Sequence, residues 1–316
     1  TDMKILAINP GSTSTKLAIY EDEKVVWTGG AHLPVNELSK FHHIIDQYEY
    51  RRDFIVQKLQ QEGIELKFDA VIGRGGLLCP LKGGVYEVNE KMKEDLLNAT
   101  HEHACNLGAL IADEIARECG CKAYIADPVV VDEFPMKARI SGFPGIKRES
   151  IFHALNQKAT ARQYAASVGK KYEDMNLIVA HLGGGISIGA HQKGKVIDVN
   201  NALNGEGPIS PERAGTIPAE ALVNLCFSGK YDIRQIKKMI HGKGGLTGYL
   251  GTNDMITIES KAEAGEEPYR TLFEAMLYTI SKQIGAMYVA MMGKVDAIIL
   301  TGGMAHGDYC VAGIKE

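Results

Sequence analysis

The feature that most constrains this chain is a pattern that occurs twice: a short apolar run, a turn of small residues, and a second apolar run. Residues 4–9 (Lys-Ile-Leu-Ala-Ile-Asn) stop at Pro10-Gly11-Ser12-Thr13-Ser14, and the apolar pattern resumes over 16–20. Residues 177–180 stop at His181-Leu182-Gly183-Gly184-Gly185 and resume over 186–190. Runs this short, bounded by Gly, Pro and Ser, predict strands joined by tight turns. Three more runs end in polar or glycine turns: 69–72 at Gly73-Arg74-Gly75-Gly76, 123–126 at Asp127-Pro128, and 296–300 at Thr301-Gly302-Gly303. Between them lie helical periods over 92–119, 148–168, 218–227 and 269–292, the last preceded by Glu266-Glu267-Pro268 where a helix dipole favours acids and proline. The glycine-rich stretch 242–251 predicts a loop. Strands alternating with helices make an α/β protein, and the repeated hairpin predicts two duplicated halves, 1–147 and 148–316, facing each other over a cleft. The C-terminal helix is expected to return to the first half.

Composition narrows the partners. With 45% apolar and 23% charged residues over 316 positions, the chain can bury cores that a disordered protein lacks. Thirty-five basic against 39 acidic side chains leave a net charge of −4, which argues against nucleic acid or an anionic membrane surface as partner. No apolar stretch approaches the length of a membrane span and no signal-peptide pattern opens the sequence. Six cysteines without metal-pair spacing predict free thiols in a reducing cytoplasm.

Ligands of such sheets sit at the carboxyl ends of the strands, which is where the glycine turns fall. In Asn9–Lys16 small residues admit backbone N–H groups to an anion, the hydroxyls of Ser12, Thr13 and Ser14 add donors, and Lys16 adds charge. It lacks the spacing of a Walker A loop. A plain hairpin turn has the same composition; three glycine turns, at 11, 183–185 and 302–303, together point to phosphates and adenosine. Arg74 and Arg213 stand beside glycines, as guanidinium forks for carboxylate or phosphate do, although a solvated ion pair fits the same spacing. His153 lies in the early turns of a predicted helix and His181 at a strand end, each readable as packing or as chemistry. Asp127 is either a turn former or a ligand that holds Mg²⁺ through water.

The string Ile-Leu-Ala-Ile-Asn9-Pro-Gly-Ser-Thr-Ser-Thr-Lys16 resembles the opening signature of the acetate and butyrate kinase family, and His181-Leu-Gly-Gly-Gly185 resembles its second phosphate-contacting signature. The match continues in order through Arg74, His103, Asp127, Phe152-His153, Arg213-Ala-Gly215 and Gly302-Gly303, and it is nearer the butyrate branch. The resemblance implies two ribonuclease H-like domains around a nucleotide cleft, as in actin, heat-shock ATPases and sugar kinases. It implies Mg²⁺-dependent, reversible phosphoryl transfer between ATP and butyrate or a similar short-chain fatty acid, giving an acyl phosphate and ADP, in a homo-oligomer. By the same resemblance, Asn9, Gly11, Ser12, Thr13 and Ser14 would contact the transferred phosphoryl group, with Lys16 nearby. Arg74 and Arg213 would clamp carboxylate and γ-phosphoryl oxygens, His153 would stabilise the transition state, and Asp127 would place Mg²⁺. His181 and Gly183, Gly184 and Gly185 would lie along the phosphates, while Gly302, Gly303 and Asp254 would receive adenosine. Family members continue past the equivalent of Glu316, so a C-terminal tail with a further acidic residue is expected to be missing.

The chemistry independently favours an acid as acceptor. A fatty acid is already an anion at neutral pH, so no base is needed, and a neutral Asn at position 9 repels neither partner. Gly75 and Gly76 are expected to leave room for extra methylenes of the acid, each worth about 0.8 kcal/mol when buried. An isobutyrate kinase and a non-catalytic ATP-binding protein of actin or chaperone type are the competing expectations.

Overall fold

The computed structural model describes residues 2–316. Its ten strands are β1 (Lys4–Pro10), β2 (Ser14–Glu21), β3 (Lys24–His32), β4 (Ala70–Arg74), β5 (Val85–Glu87), β6 (Lys122–Ala126), β7 (Asn176–Leu182), β8 (Ile186–Gln192), β9 (Lys195–Val199) and β10 (Ala297–Thr301). The first six form one sheet in the order β3-β2-β1-β4-β6-β5, and the last four form a second in the order β10-β7-β8-β9. In the first sheet β2 runs antiparallel to both β1 and β3, while β4 joins β1 in parallel. In the second, β8 is antiparallel to β7 and β9, while β10 joins β7 in parallel. The order β3-β2-β1-β4 is therefore repeated as β9-β8-β7-β10, which is the duplication the two hairpins predicted.

The chain divides into two units, one ending at Val131 and the other running from Asp132 to Glu316. That division precedes the expected boundary at Arg148 because residues 132–147 are tied to the second unit. Asp132 pairs with Arg139, Glu133 pairs with the buried Lys158, and Arg148 reaches Asp198 and Glu206.

Within the first unit, the helices Tyr48–Gln61 and Gly108–Cys119 cover the sheet through Ile55, Leu59, Ile111 and Ile115, all essentially without solvent exposure. In the second, period-2 alternation along β7 feeds two cores. Leu177 and Val179 meet Ala161 and Ala165 of the helix Ala154–Ser167, whereas Ile178, Ala180 and Leu182 meet Phe273, Met276 and Ile280 of the helix Tyr269–Ala290. Sheet burial on both faces explains why β7 reads as an unbroken apolar run. The helix Asp308–Lys315 packs on this second unit, with Cys310 in the same core and Gly313 against Leu277, so the C-terminal helix does not return to the first half.

Three local expectations change. The period over 92–119 is interrupted: one helix, Glu90–Leu97, ends where Asn98 bonds back to the Glu94 carbonyl, and the chain restarts at a 3₁₀ turn, Ala104–Leu107, capped by His103. The helix expected from 148 begins only at Ala154, and His153 is its N-cap residue rather than an early-turn residue. The stretch 242–251 is not all loop, because Gly245–Leu250 is a helix whose Leu246 and Thr247 amides donate to Ser210 and Pro211. No helix among the described residues is long and apolar enough to cross a membrane.

Candidate active site

In the first unit the chemistry-bearing residues gather at the carboxyl ends of β1, β4 and β6. The turn between β1 and β2 is closed by the Gly11 amide donating to Ser14 O at 2.7 Å, and is held from the side by Leu33 N on Thr13 O. Beneath it lies Arg51, 1% exposed, from the first turn of the helix Tyr48–Gln61. Its guanidinium donates to Gly11 O at 2.6 Å and Ser12 O at 2.7 Å, and to Gln47 Oε1 at 3.0 and 3.1 Å. These partners are neutral oxygens, and burial pulls the Arg51 pKa down, yet a guanidinium keeps its proton at neutral pH. A buried positive charge thus sits directly under a turn whose Ser12 and Thr13 are exposed. Sequence reasoning missed Arg51, since nothing distinguishes it from its neighbour Arg52 except where the helix docks.

Arg74 ends β4 and donates to Asn9 Oδ1 at 3.4 Å, so these two candidates meet, and Lys16 is opposite Asn9 in the β1–β2 register. β4 can carry Arg74 here because glycines let it approach the helix that follows the 3₁₀ turn. A Cβ at Gly73 would overlap the Gly108 backbone. A Cβ at Gly75 would lie 2.6 Å from Pro128 Cβ, and one at Gly76 would lie 2.7 Å from both Asn106 Oδ1 and Leu96 Cδ2. The space above Gly75 and Gly76 is therefore filled by the protein itself and is not room for methylenes of a substrate. Asp127, 4% exposed and with φ of 37°, follows β6 and exchanges hydrogen bonds with Gly84: Gly84 N donates to its Oδ1 at 2.8 Å and its own amide donates to Gly84 O at 2.9 Å.

In the second unit the β7–β8 turn is the organising element. His181 Nδ1 lies 2.8 Å from Asn156 Oδ1, and its ring stacks on His153, centroids 3.7 Å apart and planes 8° from parallel. Arg213 is brought to the same turn. A Cβ at Gly185 would fall inside its guanidinium, and one at Gly184 would lie 2.8 Å from Glu212 Oε2. The segment is pinned there by Ser210 Oγ and Glu212 N, both donating to Gly184 O, and Arg213 Nη1 donates to Ala202 O at 2.6 Å. Burial pulls the Arg213 pKa down and the neighbouring Glu212 pulls it back up. Gly302, with φ of 89°, lets the turn after β10 press against Leu182, so Gly302 and Gly303 adjoin the same strand end. Asp254 stands apart in role: it caps the helix Met255–Glu263 by accepting from Thr257 N and Oγ1, which pulls its pKa down, while Asn253 beside it donates to Glu212.

No group of three or more His, Cys, Asp or Glu side chains suited to a metal exists among the described residues. Mg²⁺ carried by phosphates and water needs one carboxylate from the protein, and Asp127 has the chemistry for that.

The sequence pattern described as the acetokinase family matches residues 133–312. A protein of Phocaeicola vulgatus described as a probable butyrate kinase is 68% identical over 314 residues, covering 99% of this chain and 89% of the relative. One of Bacteroides thetaiotaomicron with the same description is 53% identical over 315 residues, again covering 99% of this chain and 89% of the relative. Among solved structures, the acetate kinase of Porphyromonas gingivalis superposes with a TM-score of 0.81 at 22% identity, and a propionate kinase of Francisella tularensis with 0.79 at 22%. The first alignment covers 99% of this chain and 86% of the other, the second 99% and 87%. These two similarities establish the two-domain α/β fold.

Proposed function

The chain belongs to the acetokinase family, and from that premise we propose that it transfers the γ-phosphoryl group of ATP reversibly to a short-chain fatty acid, with butyrate the preferred acceptor. The products are butanoyl phosphate and ADP. The observation that carries this reading is Asn9 at the end of β1, a neutral amide bonded to Arg74 that repels neither phosphate nor an ionised acid. A carboxylate acceptor arrives already ionised, so the work is to bring two anions together.

Each group then has a task. Arg74 takes the acid or the γ-phosphoryl oxygens as a bidentate fork, with Asn9 fixing its direction. Residues 11–14 present amides and hydroxyls to phosphate, Lys16 adds charge beside them, and buried Arg51 adds charge from below. Arg213, held by Gly185 and Ala202, neutralises charge that develops during transfer, and His153 donates a hydrogen bond to it. His181 and residues 183–185 border the phosphates, and Gly302 and Gly303 the adenosine. Mg²⁺ bound to the nucleotide would supply charge neutralisation, with Asp127 holding it through water. Asp254 caps the helix Met255–Glu263 and is the weaker candidate beside the adenosine. Six free cysteines accord with work in the cytoplasm.

The test is an assay of the full chain with ATP, Mg²⁺ and hydroxylamine, which traps acyl phosphate as hydroxamate, over acetate, butyrate and isobutyrate. Butyrate should give the highest kcat/KM. Consumption of ATP without hydroxamate for any acid would overturn the proposal.

A further inference from the structure

His153 is the visible end of a hydrogen-bonded chain that runs into the core of the second unit. Its Nδ1 lies 2.7 Å from Ser187 Oγ on β8. Gln157, one turn along the helix from His153 and without solvent exposure, donates from Nε2 to Ser187 O at 3.0 Å and Ser187 Oγ at 2.8 Å. Its Oε1 lies 2.9 Å from His191 Nε2, and His191 Nδ1 lies 2.6 Å from Tyr172 OH. The passage for Gln157 exists because β8 carries a glycine: a Cβ at Gly189 would overlap Gln157 Oε1.

Inside the core the direction of each proton follows from one group that can only accept. The Ser187 carbonyl must face the Gln157 amide nitrogen, so Gln157 Oε1 must face His191. His191 Nε2 then carries the ring proton. Complete burial beside Lys158 and Arg162 pushes the His191 pKa down to about 3, so the ring is neutral and its bare Nδ1 accepts from Tyr172 OH. At the other end, Ser187 Oγ already accepts from Gln157, and its own proton is available to His153 Nδ1. An imidazolium at His153 would aim a third donor at an oxygen whose two lone pairs already face the Gln157 amide and, at 3.4 Å, the His153 backbone N–H.

We infer that Tyr172, His191, Gln157 and Ser187 act as positioning residues that hold His153 neutral with its proton on Nε2, so that it serves as a one-proton hydrogen-bond donor and not as a cation. The inference rests on the reading above that His153 takes part in phosphoryl transfer. It divides the labour of the site: fixed charge comes from the arginines, and direction comes from a polarised core. The stack on His181 fits, since two parallel rings 3.7 Å apart oppose a charge on both.

The experiment is ¹⁵N spectroscopy of the histidines in the full chain at neutral pH, with His153 assigned by the signal lost in His153→Gln. The wild-type ring should show a protonated Nε2 and a bare Nδ1. Gln157→Leu and Ser187→Ala should each relax it to a mixture of tautomers, and lower kcat on the order of 10²-fold with KM for both substrates little changed. Ser187→Thr, which keeps the hydroxyl, should restore both readouts. A wild-type His153 with Nδ1 protonated, or protonated on both nitrogens, overturns the inference even if every variant fails to fold. So does a Ser187→Ala protein with unchanged tautomer and unchanged kcat. The tautomer is read in the resting protein, so absence of acyl phosphate with the expected tautomer counts against the proposed function alone.

Discussion

Arg74 tests the site at the level of a single side chain. It ends the central strand β4, and the hydrogen bond its side chain makes among the described residues is the 3.4 Å contact to Asn9, so the core does not depend on its guanidinium. Arg74→Ala should therefore lower kcat on the order of 10³-fold while leaving the thermal midpoint within about a degree or two, checked by the hydroxamate assay beside a melting curve. Near-normal turnover would remove Arg74 from the mechanism. Arg74 was legible in the sequence because it stands between Gly73 and Gly75 at a strand end, and Arg213 because Gly215 follows it closely, although its guanidinium turns inward to Ala202 O. Arg51 was not. It sits among other charged residues of the helix Tyr48–Gln61, and only docking of that helix under residues 11–14 sets it apart from Arg52, which pairs with Glu114 instead.

At the scale of elements, the β7–β8 turn and the segment carrying Arg213 form one device. Gly185 lies outside the left-handed region, so alanine is compatible with its backbone, and the group its Cβ would meet is the tip of the Arg213 side chain. Gly185→Ala should thus displace the guanidinium without unfolding the turn. Turnover should fall on the order of 10²-fold with a small change in melting temperature. Unchanged turnover would mean that the Arg213 guanidinium is not needed where it lies. The three-glycine turn was visible in the sequence as a turn, but the partner that needs its third glycine lies 28 residues further on. The expectation that Gly75 and Gly76 widen a substrate pocket failed for a related reason. A missing Cβ is equally a place where the protein can bring its own atoms close, and here Pro128, Leu96 and Asn106 have taken that space.

For the whole molecule, the buried neutral His191 links stability to pH. Its folded pKa, about 3, lies below the ordinary value of 6.5, so the unfolded chain binds a proton that the folded chain refuses. The contribution is complete above pH 6.5 and is lost as pH falls toward 3; between pH 7 and pH 5 it should cost about 2 kcal/mol. Urea denaturation of the wild type and of His191→Gln at the two pH values checks this, and equal losses in both proteins would remove His191 as the cause. What the sequence determined by itself is local and periodic: the two hairpins, the duplicated α/β halves, the strand-end glycines and arginines, and the helix Tyr269–Ala290. Those follow from side-chain spacing along a strand or helix, which is a property of consecutive residues. Only the tertiary structure decided the division before Asp132, the charge of Arg51 under the first turn, the closure over Gly75 and Gly76, and the polarised chain behind His153. Each of these depends on groups distant in sequence reaching hydrogen-bond or van der Waals range, and an ion pair such as Lys158 with Glu133 or a contact such as Gln157 with Ser187 leaves no periodic trace in the chain.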